Sequence, residues 1–361
     1  MSAPSSTQPF IAIEESYLSP DIPTTLSPNP RDPALHLIPA PTLSKLKNIG
    51  PARIRDMRAS GTAMQILSHI PLDLPLKTCQ RINDMLYSNI VTNSDRFAAM
   101  ALLPVGDAKD AASELQRCVT KYKFVGCVLG IRKGGVQLDG TEWDGVWTMA
   151  EKYKVPVALR PVWPCGEEKR IRRERYGLMG LQVSEYTGLY PQSLICPLVT
   201  VLYPHHTTSP LLLLRLYASG LFERHPHLRL ILSQNGHSIP SLLPRIQSLL
   251  ASTPDFKPVR KFFEVWQYNI YISTADIMDV SSLRALVERI PVDRVLWAGN
   301  YPWEEKGAKN ILWECREMGV LGKEEWEEIA WKNAERLFGV KTGVADKGGA
   351  AGMRGRRASF G

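Results

Sequence analysis

The chain has no closely spaced cysteine pair. Its six cysteines, Cys79, Cys118, Cys127, Cys165, Cys196 and Cys315, are scattered over 361 residues, which excludes a disulfide framework and reads as reduced thiols in an intracellular protein. No apolar stretch is long enough to span a bilayer. Residues 1–9 are polar, without the charged start and apolar run of a secretory signal, so the expected location is the cytosol and no membrane partner is expected. Nucleotide and acyl-enzyme signatures are also missing. Gly134-Gly135 and the glycine-rich stretch 349–352 fit neither a phosphate-binding loop nor a dinucleotide fingerprint, and no GxSxG elbow occurs. The formal net charge of +8 comes without a zinc-finger, RNP-like or basic-zipper pattern. Much of it sits in the mixed-charge run 169–175 and in Arg354, Arg356 and Arg357, so it reads as solvated surface and not as a nucleic-acid site.

What is present is enough for one large core: 44% of the residues are hydrophobic and 22% charged. Short apolar runs alternate with helical patterns along the whole chain. Predicted strands fall at 10–15, 63–68, 97–104, 124–130, 155–161, 228–234, 269–274 and 294–299, with helices between them. Eight such units in sequence predict a parallel sheet closed into a single (β/α)8 TIM barrel over residues 10–342. Residues 1–9 and the Gly-, Ala- and Arg-rich tail 343–361 are expected to be disordered, and 16–41 and 162–194 to be long loops over the barrel mouth.

In a barrel of this type reactive side chains project from the carboxyl ends of the strands. The run Arg294-Val295-Leu296-Trp297-Ala298-Gly299-Asn300-Tyr301-Pro302-Trp303 puts Asn300 at such an end, and the run starting at Phe10 ends in Glu14-Glu15. An aspartate in place of Asn300 would bind a metal or move a proton, whereas an amide only hydrogen-bonds.

These pieces resemble the amidohydrolase-related TIM barrels, in particular their aromatic-acid decarboxylases. Ile11-Ala12-Ile13-Glu14-Glu15-Ser16 resembles the family's first strand ending in Glu-Glu-His, and Val155 to Pro161 its strand ending in Leu-His-Pro. Asn300-Tyr301-Pro302 resembles its Asp-Tyr-Pro, with Phe124-Val125-Gly126, Ser219 to Pro226 and Asn333 to Gly339 as further pieces in order. The resemblance implies a divalent cation held by strand-end Glu, His and Asp. Carried over position by position, only Glu14 remains, because the other ligands become Ser16, Arg160, Gln234 and Asn300.

One carboxylate, three weak neutral oxygens and a permanent cation make a poor metal site. The expectation is therefore no metal and no cofactor, with Arg160 gathering the anionic groups of the substrate, Glu14 acting as general acid or base, and Asn300 as the third catalytic residue. Ser16, Gln234, His206, His237, Tyr301 and Trp303 are the expected substrate-binding residues, and Asn300, Gln234 and Tyr301 would hold an enolate or phenolate oxygen. The expected substrate is a small aromatic or polyketide-like acid, turned over by a metal-independent lyase of the kind found in secondary metabolism. Two other readings stay open: a catalytically silent homologue that binds a ligand or partner subunit, and a metal-dependent decarboxylase or hydrolase whose site is rebuilt by His205, His206 or His237. By analogy with the relatives, a homo-oligomer is expected.

Overall fold

The computed structural model describes residues 9–29, 32–131, 138–163, 209–236, 238–303 and 308–342. Its centre is an eight-stranded parallel sheet in the order β1 to β8: β1 Ile11–Tyr17, β2 Met64–His69, β3 Phe97–Leu102, β4 Gly126–Ile131, β5 Val157–Pro161, β6 Leu230–Leu232, β7 Ile270–Ser273 and β8 Val295–Leu296. A parallel bridge between Ile13 and Ala298 joins the last strand to the first and closes the barrel. The Ile13 N–H donates to Trp297 O at 3.1 Å, and the Ser16 N–H donates to Tyr301 O at 2.8 Å. This is the (β/α)8 fold that the alternating pattern predicts.

Each strand contributes to two apolar layers because its side chains alternate in direction. Inward residues from all eight strands, running from Ile11 and Ile13 round to Leu296 and Ala298, fill the barrel, and Ala334, Leu337 and Phe338 pack against them. Outward residues such as Leu67, Cys127, Leu159 and Ile272 pack against the helices. Among those helices, Ala108–Tyr122 begins where the Asp107 side chain accepts from the N–H groups of Lys109 and Asp110. Pro51–Ser60 stops at Gly61, whose φ of 67° is the left-handed conformation that a C-terminal glycine adopts readily.

Several elements differ from the sequence reading. The stretch 16–41 is not one loop, since β1 continues through Tyr17 and a helix begins at Ala40. A helix at Phe262–Asn269 had not been anticipated. Its buried residues Phe262, Val265, Trp266 and Asn269 follow helical spacing, but it runs into β7 without a turn and is rich in aromatic residues, which hides it beside a strand.

One irregularity positions the site. Ala12 pairs with Gln65 and Glu15 with Leu67, so β1 spends three steps where β2 spends two. The extra residue is a bulge, and Glu14 takes it up at φ 58°. The bulge thereby decides which of the two adjacent carboxylates faces inward, since Ile11 and Ile13 already point into the barrel. Glu14 joins the inner side, while Glu15 turns outward and is buried beside Arg53 of the helix Pro51–Ser60.

There Gln65 Nε2 donates to Glu15 Oε2, Arg53 Nε donates to Gln65 Oε1 at 2.7 Å, and Arg53 Nη1 donates to Ser16 O at 2.8 Å. Arg53 Nη2 lies 3.9 Å from the carboxylate. Burial pushes Glu15 up to about 7, against the opposing pull of Arg53 and of the backbone N–H groups of Tyr301 and Gly299. Burial likewise pushes Arg53 down to about 10, opposed by Glu15.

Because Glu15 is easier to protonate when folded, its stabilising contribution is complete below its ordinary value of 4.5 and is lost as pH rises to about 7. Arg53→Met leaves that carboxylate buried without its cation, which is expected to cost about 3–5 kcal/mol at pH 9. The loss should be smaller at pH 5, where Glu15 is neutral. Urea unfolding of both proteins at the two pH values measures the difference, and an equal loss at both would show that the ion pair is not what matters.

Candidate active site

Glu14 sits where the carboxyl ends of β1, β6 and β7 meet. Its Oε1 accepts from the Ser273 hydroxyl and, at 3.3 Å, from the backbone N–H of Gln234. That same N–H also reaches Ser273 Oγ at 3.0 Å. The carboxyl group is buried, and burial raises its pKa above the ordinary 4.5. Arg160 and the two hydrogen bonds work against the shift, while the Asp276 carboxylate adds to it. Desolvation is the largest effect, so Glu14 holds its proton to higher pH than a solvated glutamate does.

Arg160 lies near the carboxyl end of β5 on the inner side, in register with Gly130 of β4. Its Nη1 donates to Ser68 Oγ at 2.8 Å and its Nη2 to Ser16 Oγ at 3.4 Å. Ser16 Oγ also accepts from Trp303 Nε1 at 3.3 Å, and the Trp303 ring stacks on Trp163 with centroids 5.6 Å apart. Two hydroxyls thus hold the guanidinium, which retains further N–H donors. Burial lowers its pKa and the carboxylates of Glu14 and Glu15 raise it. A guanidinium remains a cation under these conditions.

Three residues at this rim have left-handed backbones without being glycine: Glu14 at φ 58°, Gln234 at φ 47° and Asn300 at φ 53°. Such conformations are held in place by their surroundings and cluster at working sites. The Gln234 Oε1 and Ser233 Oγ atoms are buried, and neither has a hydrogen-bond partner among the described residues.

Of the residues the sequence singles out, Glu14 and Gln234 are therefore joined through Ser273, while Arg160, Ser16 and Trp303 form a second group with Ser68, and the charge of Arg160 acts on Glu14. Asn300 lies at the end of β8 with its carbonyl accepting from the Trp303 N–H at 2.9 Å. Tyr301 belongs elsewhere. Its hydroxyl donates to Asp56 Oδ2 at 2.9 Å, and its ring covers the Arg53 guanidinium at 4.3 Å, on the outer side with Glu15. His206 and His237, like His205, lie outside the described residues.

Sequence reading missed Ser68 and Ser273, which anchor the cation and the acid. The available signal was a polar residue at the last inward position of an otherwise apolar strand. It also passed over His69, which is buried and neutral: its Nε2 accepts from the Ser19 N–H at 2.9 Å, its Nδ1 faces Ile70 O at 2.7 Å, and burial pushes its pKa down to about 4.

Comparison with known proteins gives this geometry a context. Decarboxylase orsB of Emericella nidulans is 29% identical over 341 residues, covering 92% of this chain and 98% of that protein. Gamma-resorcylate decarboxylase of a Rhizobium species is 29% identical over 314 residues, covering 81% and 88%. Among solved structures, 2,6-dihydroxybenzoate decarboxylase complexed with 2,6-dihydroxybenzoate superposes with a TM-score of 0.72 at 26% identity, covering 92% of this chain and all (100%) of the other.

The expectation of no cofactor is corrected by this company. A dihydroxybenzoic acid decarboxylase from Polaromonas (TM-score 0.71, 24% identity, 92% and 97% covered) was solved with bound manganese. So was 5-carboxyvanillate decarboxylase from Novosphingobium aromaticivorans (TM-score 0.74, 19% identity, 94% and 98% covered). A metal is thus normal equipment for decarboxylases of this fold. The side chains described around Glu14 do not themselves fit such an ion. Manganese takes several carboxylate, imidazole or carbonyl donors, whereas no three His, Cys, Asp or Glu side chains among the described residues come together in that way, and Arg160 brings a positive charge to the spot. Among the described residues no helix is long and apolar enough to cross a membrane. The amidohydrolase family model matches residues 35–340, well over half of the sequence, and the chain belongs to that family.

Proposed function

We propose that the chain is a carboxy-lyase that removes CO2 from a small hydroxylated aromatic acid, with Glu14 as proton donor and Arg160 as the anion-binding group. The observation that carries this reading is a buried carboxyl with a raised pKa, within the electrostatic reach of a half-buried guanidinium at the strand ends. The aromatic-acid decarboxylases among the relatives support the reaction class.

The guanidinium N–H groups not taken by Ser16 and Ser68 bind an ionised oxygen of the substrate, the phenolate ortho to its carboxylate. Protonated Glu14 gives its proton to the ring carbon that bears the carboxylate. That carbon becomes tetrahedral and the phenolate oxygen becomes a carbonyl. The bond to the carboxylate then breaks, its electron pair returns to the ring, CO2 departs and the phenolate re-forms against Arg160. Glu14 takes a new proton from water. The stacked Trp163 and Trp303 rings offer an apolar wall to an aromatic ligand. No step is routed through a metal, because the described donor set does not fit one.

CO2 release from a panel of hydroxybenzoic acids tests the proposal. Glu14→Gln keeps the size and removes the proton, and is expected to lower kcat by roughly 10²–10⁴-fold. In the wild type the protonated form of Glu14 is the active one. Its pKa is raised, so kcat/KM is expected to stay level on the acid side and to fall as pH climbs through that raised value. A rate that rises with pH over the same range would assign Glu14 the opposite role. Arg160→Met should cost on the order of 10²–10³-fold in kcat/KM by removing the charge that meets the developing oxyanion. If no acid in the panel releases CO2, the silent, ligand-binding homologue becomes the better reading.

A further inference from the structure

Arg160 belongs to β5, and the hydroxyls it meets belong to β1 and β2. With the strands in the order β1 to β8 and the barrel closed, β5 is four strands from β1 in either direction, so the side chain reaches across the mouth to the opposite wall. A matched pair receives it there. Ser16 and Ser68 are register partners, both are buried, and each hydroxyl takes one terminal nitrogen of the fork, Ser68 Oγ from Nη1 at 2.8 Å and Ser16 Oγ from Nη2 at 3.4 Å. The shorter contact makes Ser68 the stronger holder. Ser16 is held in turn, since its Oγ accepts from Trp303 Nε1 at 3.3 Å and the Trp303 ring stacks on Trp163. Both of these partners are neutral. A carboxylate in their place would offset the charge it orients, as Glu15 does for Arg53 on the outer side, 3.9 Å from its Nη2. A hydroxyl fixes the direction of a guanidinium and leaves its charge in place.

We infer that Ser68, with Ser16 beside it, is a positioning residue for Arg160: the paired hydroxyls hold the guanidinium across the barrel mouth with its charge available to an anionic group of a ligand. The inference rests on the anion-binding role proposed for Arg160 and adds how that role is prepared. An arginine side chain samples many rotamers when nothing holds it. Ordering it only when the ligand arrives weakens binding and misplaces the donors. The serines do that ordering in advance, so the effect of Ser68 on the reaction is expected to pass through Arg160.

The test is a double-mutant cycle, read together with nitrogen NMR of the full chain carrying isotopically labelled arginine. On the hydroxybenzoic acid that the wild type turns over fastest, Ser68→Ala should lower kcat/KM roughly 10–100-fold, the effect of losing one hydrogen bond to a charged group. In the Arg160→Met background the same substitution should cost less than about twofold. The NMR needs no turnover. Rotation about the Cζ–Nη bonds slows when each nitrogen is hydrogen-bonded, so Arg160, identified by the signals that Arg160→Met removes, should show distinct Nη signals in the wild type that merge in Ser68→Ala. Arg53, bonded to Gln65 Oε1 and Ser16 O, is the internal control and should not change. Equal losses in the two backgrounds, or Arg160 signals that are the same with and without the Ser68 hydroxyl, overturn the inference. Signals that merge in Ser68→Ala while no acid is turned over would defeat the lyase reading and leave this one standing, and CO2 release untouched by Ser68→Ala would do the reverse.

Discussion

Neighbouring glutamates on one strand cannot both be charged inside a protein at low cost, and the molecule separates them by geometry. The bulge at Glu14 sends one carboxyl to the barrel interior and the other to the helix layer, where Gln65 and Arg53 receive it. Arg53 in turn reaches Ser16 O and lies under the Tyr301 ring, so a single buried cation ties β1, β2 and the segment after β8 together. The closure of the barrel at β1 and β8 and the orientation of Glu14 depend on the same few contacts. The outer pair is structural, and the inner carboxyl is left for chemistry.

Inside the barrel a second, half-buried cation is held differently. Arg53 is committed to backbone and amide oxygens, whereas among the described residues Arg160 donates to two serine hydroxyls and keeps part of its donor fork for other partners. That contrast separates a guanidinium which completes a wall from one able to take a ligand. It also explains why the serine positions matter. Ser16 and Ser68 are small enough for the Arg160 guanidinium to approach their hydroxyls.

Much of this was legible in the sequence. Short apolar runs separated by helical patterns pointed to the strand order and the barrel, and strand ends in Glu14, Arg160 and Asn300 marked the rim. The departures have identifiable causes. Sequence spacing could not reveal the bulge, so which of Glu14 and Glu15 faces the barrel interior was invisible. Tyr301 looked like a rim residue by its position after β8, yet its ring is drawn outward by Arg53 and its hydroxyl by Asp56. Ser68 and Ser273 were overlooked because a lone serine at the last inward position of a strand is a weak signal until its neighbours across the sheet are known. The cofactor expectation erred in another way: replaced ligands were read as a property of the reaction, whereas decarboxylases of the same fold carry manganese.

Glu14, Gln234 and Asn300 hold backbone shapes that a glycine would adopt at less steric cost. The rim is therefore under two opposed pressures, one toward an unstrained main chain and one toward the side chains that only these residues bring. A laboratory selection for heat resistance alone would favour glycine at these three places, and its survivors would be sturdy barrels with an empty rim. Thermal robustness and catalytic competence in this molecule are written on the same three torsion angles.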